Sequence, residues 1–313
     1  MNNYIRFAFI PISLLFCLSC ARMKNLERPL PPDQSEGSFF HTSDSTDIFV
    51  YSFEPKTDSS TTIYILTGYT GINHNSEKDV IELLSNQENR VVVIHPRGTG
   101  YSEGKRGDVK NYARLLQDFI EIINEDIVSH PETQKVVLFG HSISTAIALY
   151  VAQYINKTDG IILINPPYKL KSSKGMKPSI SDYLKYAGYM IVAPHTPIVN
   201  MAGNPEKIEN PEERSESLSR SNDPLLVKYI SMYLMLESKK LLDKMIEYSL
   251  NANYPLLLLY GSKDGLVDQS GCEAIFNAWK NSQKNYYIIQ DGPHGKQTVC
   301  LSKDIILSWL TSL

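Results

Sequence analysis

Apolar strand-like segments and amphipathic helical patterns alternate along most of this chain, and that alternation restricts the fold more than any other feature. The strand-like segments are short, and several have almost no polar interruption, which is typical of strands buried on both faces. They cover 47–54, 62–66, 91–94, 135–139, 160–164, 256–260 and 286–290. The helical patterns between them cover 76–87, 110–128, 143–156, 269–281 and 301–312. This order predicts an α/β fold with a mostly parallel central sheet and helices on both faces.

Residues 166–253 interrupt the alternation. This segment contains no clear strand, and its helical patterns lie near 179–193 and 223–249. Because α/β sheets bind ligands beyond the carboxyl ends of their strands, we interpret 166–253 as an inserted helical cap over that edge. The core domain then consists of 38–165 and 254–313.

The first residues have the pattern of a secretory signal peptide. One positive charge, at Arg6, precedes an apolar run over 7–18, and small residues follow it. The run is shorter than the roughly 18 apolar residues of a spanning helix, and Pro11 interrupts it. We therefore predict a signal peptide over 1–19 rather than a transmembrane helix.

The segment ends in Leu18-Ser19-Cys20, which resembles a bacterial lipoprotein signal, in which the cysteine is lipidated after cleavage. It departs from that pattern at Cys17, where an aliphatic residue is usual. The resemblance implies a lipid on Cys20 and a membrane-anchored protein of the bacterial cell envelope. The alternative is an ordinary cleaved signal, which would leave the protein secreted or periplasmic. Residues 20–37 are Pro-rich and polar, and we interpret them as an extended tether between membrane and fold.

Charge and cysteine content exclude two classes of protein. The chain has 31 Lys and Arg against 34 Asp and Glu, a formal charge of −3, so it lacks the basic excess of nucleic-acid-binding domains. Four cysteines among 313 residues do not form a disulfide scaffold. Beyond the signal region only Cys272 and Cys300 remain, and they are either a disulfide pair or two buried free thiols, of which we favour the second.

The strongest chemical motif lies where the apolar strand at 135–139 meets a helix. The intervening residues are Gly140-His141-Ser142-Ile143-Ser144. A serine on such a sharp strand-to-helix turn is typical of a nucleophile elbow, with the N–H groups of the helix start facing developing negative charge. An ordinary turn with a capping serine is the alternative interpretation of this pentapeptide.

A serine nucleophile needs a general base and an acid that orients the base. In α/β folds of this kind the order along the chain is Ser, acid, His. Asp264 follows the strand at 256–260, and His294 follows the strand at 286–290. Asp268 is a second candidate for the acid, although it lies four residues further from the strand.

From about residue 60 to its end, the chain resembles α/β-hydrolases, most closely the monoacylglycerol lipase and lysophospholipase branch that also contains serine aminopeptidases. The residues that carry the resemblance are Thr67-Gly68-Tyr69-Thr70-Gly71, Arg97-Gly98-Thr99-Gly100-Tyr101-Ser102-Glu103-Gly104, the Ser142 turn, the Asp264 and His294 loops, and Asn222-Asp223-Pro224-Leu225. It implies Ser142 as nucleophile, His294 as general base and Asp264 as the orienting acid.

The same resemblance implies that the N–H groups of Tyr69 and Ile143 form the oxyanion hole. The chain departs from the branch at two of these positions. Thr67 stands where a histidine is usual, and Ser144 stands where a glycine is usual. Ser144 is small enough to keep the turn.

The cap region carries aromatic residues at helical spacing, and they could form the lining for an acyl chain. We name Tyr183, Tyr186 and Tyr229 as candidate substrate-binding residues, with simple packing against the core as the alternative. The sequence has no H-E-x-x-H motif and no zinc-ligand spacing, so we expect neither a metal nor a cofactor.

These features together favour a serine ester hydrolase acting on monoacylglycerols or lysophospholipids. One alternative is a peptidase of the aminopeptidase kind, which would need an acidic patch to hold a substrate amine. Cap residues Glu206, Glu209, Glu212 and Glu213 could supply that patch. The other alternative is a lipid-binding protein that has the fold without catalysis.

Overall fold

The computed structural model describes residues 27–31, 37–55, 60–70, 76–86, 88–171, 180–201, 206, 218 and 222–313. The predicted signal peptide, Cys20 and most of the predicted tether lie outside the described residues. Within the described ranges, no helix is long and apolar enough to cross a membrane.

An eight-stranded sheet forms the centre of the molecule, in the spatial order β1-β2-β4-β3-β5-β6-β9-β10. β1 is antiparallel to β2, and β2 is antiparallel to β4. The remaining neighbours pair in parallel, so β4, β3, β5, β6, β9 and β10 all run in the same direction. A separate pair, β7 and β8, is antiparallel. The strands are β1 (Gly37–His41), β2 (Asp47–Phe53), β3 (Thr61–Leu66), β4 (Arg90–Ile94), β5 (Lys135–His141), β6 (Gly160–Ile164), β7 (Pro197–Asn200), β8 (Tyr229–Ser231), β9 (Leu256–Gly261) and β10 (Lys284–Ile289).

Helices cover both faces of the sheet, as the sequence predicts. Alternate side chains of each strand point to opposite faces, so Tyr64 packs in one apolar cluster and Ile63 in the other. The cluster around Tyr64 includes side chains of α2, α3, α6 and α7, and the cluster around Ile63 includes side chains of α1, α8 and α9. The helices are α1 (Lys78–Ser85), α2 (Tyr112–Ser129), α3 (Ser144–Val151), α4 (Ile180–Val192), α5 (Met232–Asp243), α6 (Met245–Asn251), α7 (Gln269–Ala278), α8 (Lys296–Leu301) and α9 (Lys303–Ser312).

The segment 166–253 differs in part from the expectation of helices alone. It contains the short strands β7 and β8, which are too brief to show a periodic pattern in the sequence. The predicted helix over 223–249 begins only at Met232 and is divided at Lys244 into α5 and α6. Side chains of both helices, including Leu234 and Tyr248, pack in the same apolar cluster as α2 and α3. The second half of this segment therefore covers one face of the sheet.

Candidate active site

The turn between β5 and α3 holds Ser142 in a conformation that few residues adopt. Its φ of +55° lies in the left-handed region, and its N–H donates to the carbonyl of Ile164 at the end of β6, at 2.9 Å. A Cβ at Gly140 would lie 2.7 Å from the carbonyl oxygen of Ser144 and 2.9 Å from Cα of Thr145. Because those are backbone atoms, only glycine fits at position 140. The local geometry is therefore that of a sharp strand-to-helix elbow.

Ser144, the departure from the usual glycine, closes this turn with its own side chain. Its hydroxyl accepts a hydrogen bond from the N–H of His141 at 2.8 Å and donates to the carbonyl of the same residue at 2.9 Å. The Thr145 hydroxyl donates to the carbonyl of Ser142 at 2.6 Å. The serine at position 144 thus adds local hydrogen bonds without displacing Ser142.

The structure brings Ser142, His294 and Asp264 together, although Ser142 and His294 are 152 residues apart in the chain. His294 follows β10 and Asp264 follows β9, so both lie at the carboxyl edge of the parallel strands. Nε2 of His294 is 2.9 Å from Oγ of Ser142, and Nδ1 is 2.7 Å from Oδ2 of Asp264. These distances suit proton transfer from a hydroxyl to an imidazole that a carboxylate orients.

Of the two candidate acids, Asp264 is the one that contacts His294. Asp268 instead caps the amino terminus of α7, where its carboxylate accepts from the N–H of Ser270 at 2.9 Å. A capping aspartate and an orienting aspartate are hard to separate by sequence when they stand four residues apart in one loop.

The Asp264 carboxylate is fully buried and still favours its ionised form. Burial by itself raises the pKa of this group, but hydrogen bonds from His294 and from the N–H groups of Val267 and Leu266 outweigh burial and hold the pKa below its ordinary value. Both N–H groups donate to Oδ1 at 2.8 Å, which leaves Oδ2 for His294. The loop therefore fixes which oxygen faces the imidazole.

The loop after β3 lies against the elbow, where Gly68, the residue before Tyr69, is next to Ile143. A Cβ at Gly68 would lie 2.6 Å from Cγ2 of Ile143, so the two segments are in close contact. Neither the N–H of Tyr69 nor that of Ile143 donates to an acceptor in the described part of the chain. Both N–H groups remain candidates for the oxyanion hole that the resemblance implies.

Two side chains hold this loop in place. The Thr67 hydroxyl, at the position where histidine is usual, donates to the carbonyl of Ile94 at 2.9 Å and ties the loop to the end of β4. The Tyr69 ring is buried against Tyr112, with 6.3 Å between ring centroids. Burial raises the pKa of the Tyr69 hydroxyl well above its ordinary value, so that group stays neutral.

Comparison with known proteins supplies the family. The sequence model described as "Serine aminopeptidase, S33" matches residues 57–296, most of the chain. The chain belongs to the serine aminopeptidase S33 family of α/β-hydrolases. Both this family and the fold agree with the expectations from the sequence.

Lipases are among the proteins to which the chain is similar. The chain is 23% identical over 241 residues to a monoacylglycerol lipase of Mycolicibacterium smegmatis, covering 71% of this chain and 78% of that protein. Its fold matches a soluble variant of monoglyceride lipase from Saccharomyces cerevisiae in complex with a substrate analogue, with a TM-score of 0.74, 14% identity and coverage of 92% and 97% of the two chains. The chain is therefore an α/β-hydrolase by family, and its fold is similar to that of a lipase.

A third relative is longer than this chain. The uncharacterised protein YnbC of Escherichia coli K12 is 21% identical over 284 residues, which cover 88% of this chain and 46% of YnbC. The chain thus spans about half the length of that relative.

The candidate substrate-binding residues of this S33 protein lie in two different elements. Tyr186 is half-buried in α4, and Tyr229 is half-buried in β8, where it pairs with Asn200. Tyr183 also lies in α4, but its side chain is outside the described residues. Contact between these tyrosines and an acyl chain stays a prediction.

The structure decides the state of the two remaining cysteines. Both are free thiols. Cys272 is buried in α7, as expected, but Cys300 is exposed near the end of α8, so the expectation of two buried thiols is wrong for Cys300. The disulfide alternative is therefore wrong, because the two thiols lie on helices that cover opposite faces of the sheet.

Sequence reasoning missed Asn165, a buried residue directly after β6. The signal was present, since a polar residue at the carboxyl end of an apolar parallel strand lies at the edge where ligands bind. The sequence could not indicate its partners, because Gly261 at the end of β9 and Pro293 in the loop after β10 stand 96 and 128 residues later in the chain.

Proposed function

We propose that this protein is a serine ester hydrolase in which Ser142 is the nucleophile, His294 the general base and Asp264 the acid that orients the base. The observation that carries the proposal is the hydrogen-bonded chain from Ser142 through His294 to Asp264. The left-handed backbone at Ser142 supports it, because such strain persists where the surrounding structure imposes it and is concentrated at functional sites.

In the proposed reaction, Nε2 of His294 takes the proton of the Ser142 hydroxyl while Oγ attacks the ester carbonyl carbon. The carbonyl oxygen becomes an oxyanion that accepts hydrogen bonds from the N–H groups of Tyr69 and Ile143. The intermediate expels the alcohol, which receives the proton from His294. Water then attacks the acyl-enzyme, again with His294 as base, and releases a carboxylic acid and free Ser142.

We propose monoacylglycerols and lysophospholipids as the substrate class. The monoacylglycerol lipases among the relatives support this choice, as do the apolar and aromatic residues of 166–253. The peptidase alternative receives support from the name of the family. Of its four candidate glutamates, Glu206 is exposed, and the other three lie outside the described residues.

One substrate panel tests these alternatives. The purified protein is assayed with monoacylglycerols of increasing acyl length, a lysophospholipid and an aminoacyl anilide, and a fluorophosphonate adduct is mapped by peptide mass spectrometry. We expect turnover of the acyl esters, no turnover of the anilide, and the adduct on the peptide that contains Ser142. Turnover of the anilide alone would favour the peptidase. Binding of the esters with neither turnover nor adduct would favour the lipid-binding alternative.

We also propose that a lipid on Cys20 anchors the protein to the envelope membrane. The support is the apolar run over 7–18 and the Leu18-Ser19-Cys20 sequence that ends it. In a bacterial host, Cys20→Ser is expected to move the protein from the membrane fraction to the soluble fraction, because serine lacks the thiol to which the lipid is attached. Cys300→Ser, which removes an exposed thiol of the folded domain, is the matched control and should stay with the membrane. Retention of Cys20→Ser in the membrane fraction would contradict the anchor.

A further inference from the structure

Asn165 occupies the point where the central strands meet the two loops of the candidate site. It follows β6 directly, is completely buried and has a φ of +47°. Asparagine tolerates this left-handed conformation better than most residues. Its N–H donates to the carbonyl of Leu259 in β9 at 2.9 Å, so its backbone is fixed to the neighbouring strand.

The side-chain amide of Asn165 joins the two loops. Oδ1 accepts from the N–H of Gly261, the last residue of β9, at 2.8 Å. Nδ2 donates to the carbonyl of Pro293 at 3.2 Å. The partners fix the orientation of the amide, since an N–H needs an acceptor and a carbonyl needs a donor. Asp264 stands three residues after the first partner, and His294 directly follows the second.

The two loops are also in direct contact with each other. A Cβ at Gly261 would lie 2.3 Å from the carbonyl oxygen of Gly292, so the backbones pass with no space for a side chain. The Thr298 hydroxyl donates to the same Pro293 carbonyl at 2.6 Å. A displacement of either loop therefore changes the distance between the imidazole and the carboxylate.

We propose that Asn165 is a positioning residue that sets the separation of Asp264 and His294. The proposal rests on the proposed function, because it treats those two residues as a catalytic pair. The hydrogen bonds of the Asn165 side chain go to the backbone of Gly261 and Pro293, so Asn165 acts through the chain segments that lead to Asp264 and His294. An amide is the group that fits, because it offers one donor and one acceptor on a short side chain.

Two substitutions test the proposal. Asn165→Asp keeps the shape and the acceptor for Gly261 but turns a carboxylate oxygen towards the Pro293 carbonyl. Asn165→Gly removes both hydrogen bonds, adds no charge and fits the left-handed backbone. In both variants we expect kcat to fall about 10- to 100-fold with KM nearly unchanged, because displacement of a reacting group by an ångström has an effect of this size. Since glycine accommodates the left-handed backbone, Asn165→Gly can still be assayed if Asn165→Asp does not fold.

Two further measurements report directly on the reactivity of Ser142 and on the hydrogen bond between His294 and Asp264. The rate constant for fluorophosphonate inactivation should fall in parallel with kcat, because it reports the activation of Ser142. The downfield proton resonance of the His294–Asp264 hydrogen bond should shift or broaden in both variants. That resonance requires no substrate, so it tests the positioning even if the esters chosen are not turned over.

Thr62→Val is the matched control for the loss of a buried hydrogen bond. Thr62 is buried at the start of the central strand β3, at the amino-terminal ends of the parallel strands and thus away from the candidate site. Its hydroxyl is 3.0 Å from that of Thr133. We expect this control to lower Tm with kcat and the resonance at their wild-type values. The positioning role is wrong if the Asn165 variants also lower Tm alone, with kcat, inactivation rate and resonance unchanged. Absence of turnover and of an adduct in the wild type would instead overturn the proposed function.

Discussion

Replacement of Ser142 by alanine is expected to lower kcat for acyl-ester hydrolysis on the order of 10⁶-fold, the size of effect seen when a serine nucleophile is removed from such a site. The reason is the loss of the one hydroxyl that lies 2.9 Å from Nε2 of His294. Binding and the oxyanion donors remain, so some rate enhancement over water should persist. Steady-state hydrolysis of a chromogenic acyl ester, with correction for contaminating esterase, measures the effect.

Ser144→Ala is the matched control, because it removes a hydroxyl from the same turn. That hydroxyl makes hydrogen bonds only within the elbow, to the backbone of His141. Loss of such bonds costs about 1 kcal/mol each in stability, so even if the full loss of about 2 kcal/mol raised the barrier, kcat would fall by no more than about 30-fold. Equal losses in the two variants would mean that the turn matters as a structure and that Ser142 is not the nucleophile.

The position of Ser142 illustrates what the sequence can and cannot predict. The residues before and after it predict a strand, a sharp turn and a helix, and the structure has β5, the elbow and α3 at those places. The left-handed φ of Ser142 follows from neighbours that are distant in the chain, since its N–H is held by Ile164. A conformation that costs a non-glycine residue about 1–2 kcal/mol is imposed by this tertiary contact rather than by local preference.

Chain order predicted that the loops of Asp264 and His294 lie together, because the carboxyl ends of parallel strands meet at one edge of the sheet. Distance from the strand end favoured Asp264 as the acid but left Asp268 as an alternative. That choice depends on a helix start: α7 begins at Gln269, so Asp268 is used as its cap, and the earlier aspartate remains for His294.

Short elements and long-range partners account for the features that sequence reasoning missed. β1 was not predicted because it is a five-residue edge strand that begins Gly-Ser, and β8 has only three residues. Asn165 is conspicuous as a polar residue after an apolar strand, but its role depends on Gly261 and Pro293, which are 96 and 128 residues away. Such partners are defined only when the sheet is assembled.

The second large effect is expected for Asp264→Asn, with kcat lowered on the order of 10⁴-fold, as is typical when the orienting acid of such a triad becomes an amide. The N–H groups of Leu266 and Val267 hold one side-chain oxygen at 2.8 Å each, so the amide oxygen should remain there and the NH₂ group should face His294. Nδ1 would then accept a hydrogen bond, and the proton would move to Nε2. An imidazole in that tautomer cannot take a proton from Ser142.

Asp268→Asn is the matched control, since it makes the same chemical change four residues later in the same loop. Asparagine caps a helix about as well as aspartate, so α7 should start unchanged and kcat should stay near the wild-type value. Steady-state kinetics of both variants, with Tm as a measure of folding, separate the two roles. A kcat for Asp264→Asn near that of the wild type, or an equal loss in Asp268→Asn, would contradict the assignment of the acid. The expected contrast requires both the hydrogen bond between Asp264 and His294 and the loop that dictates which oxygen makes it.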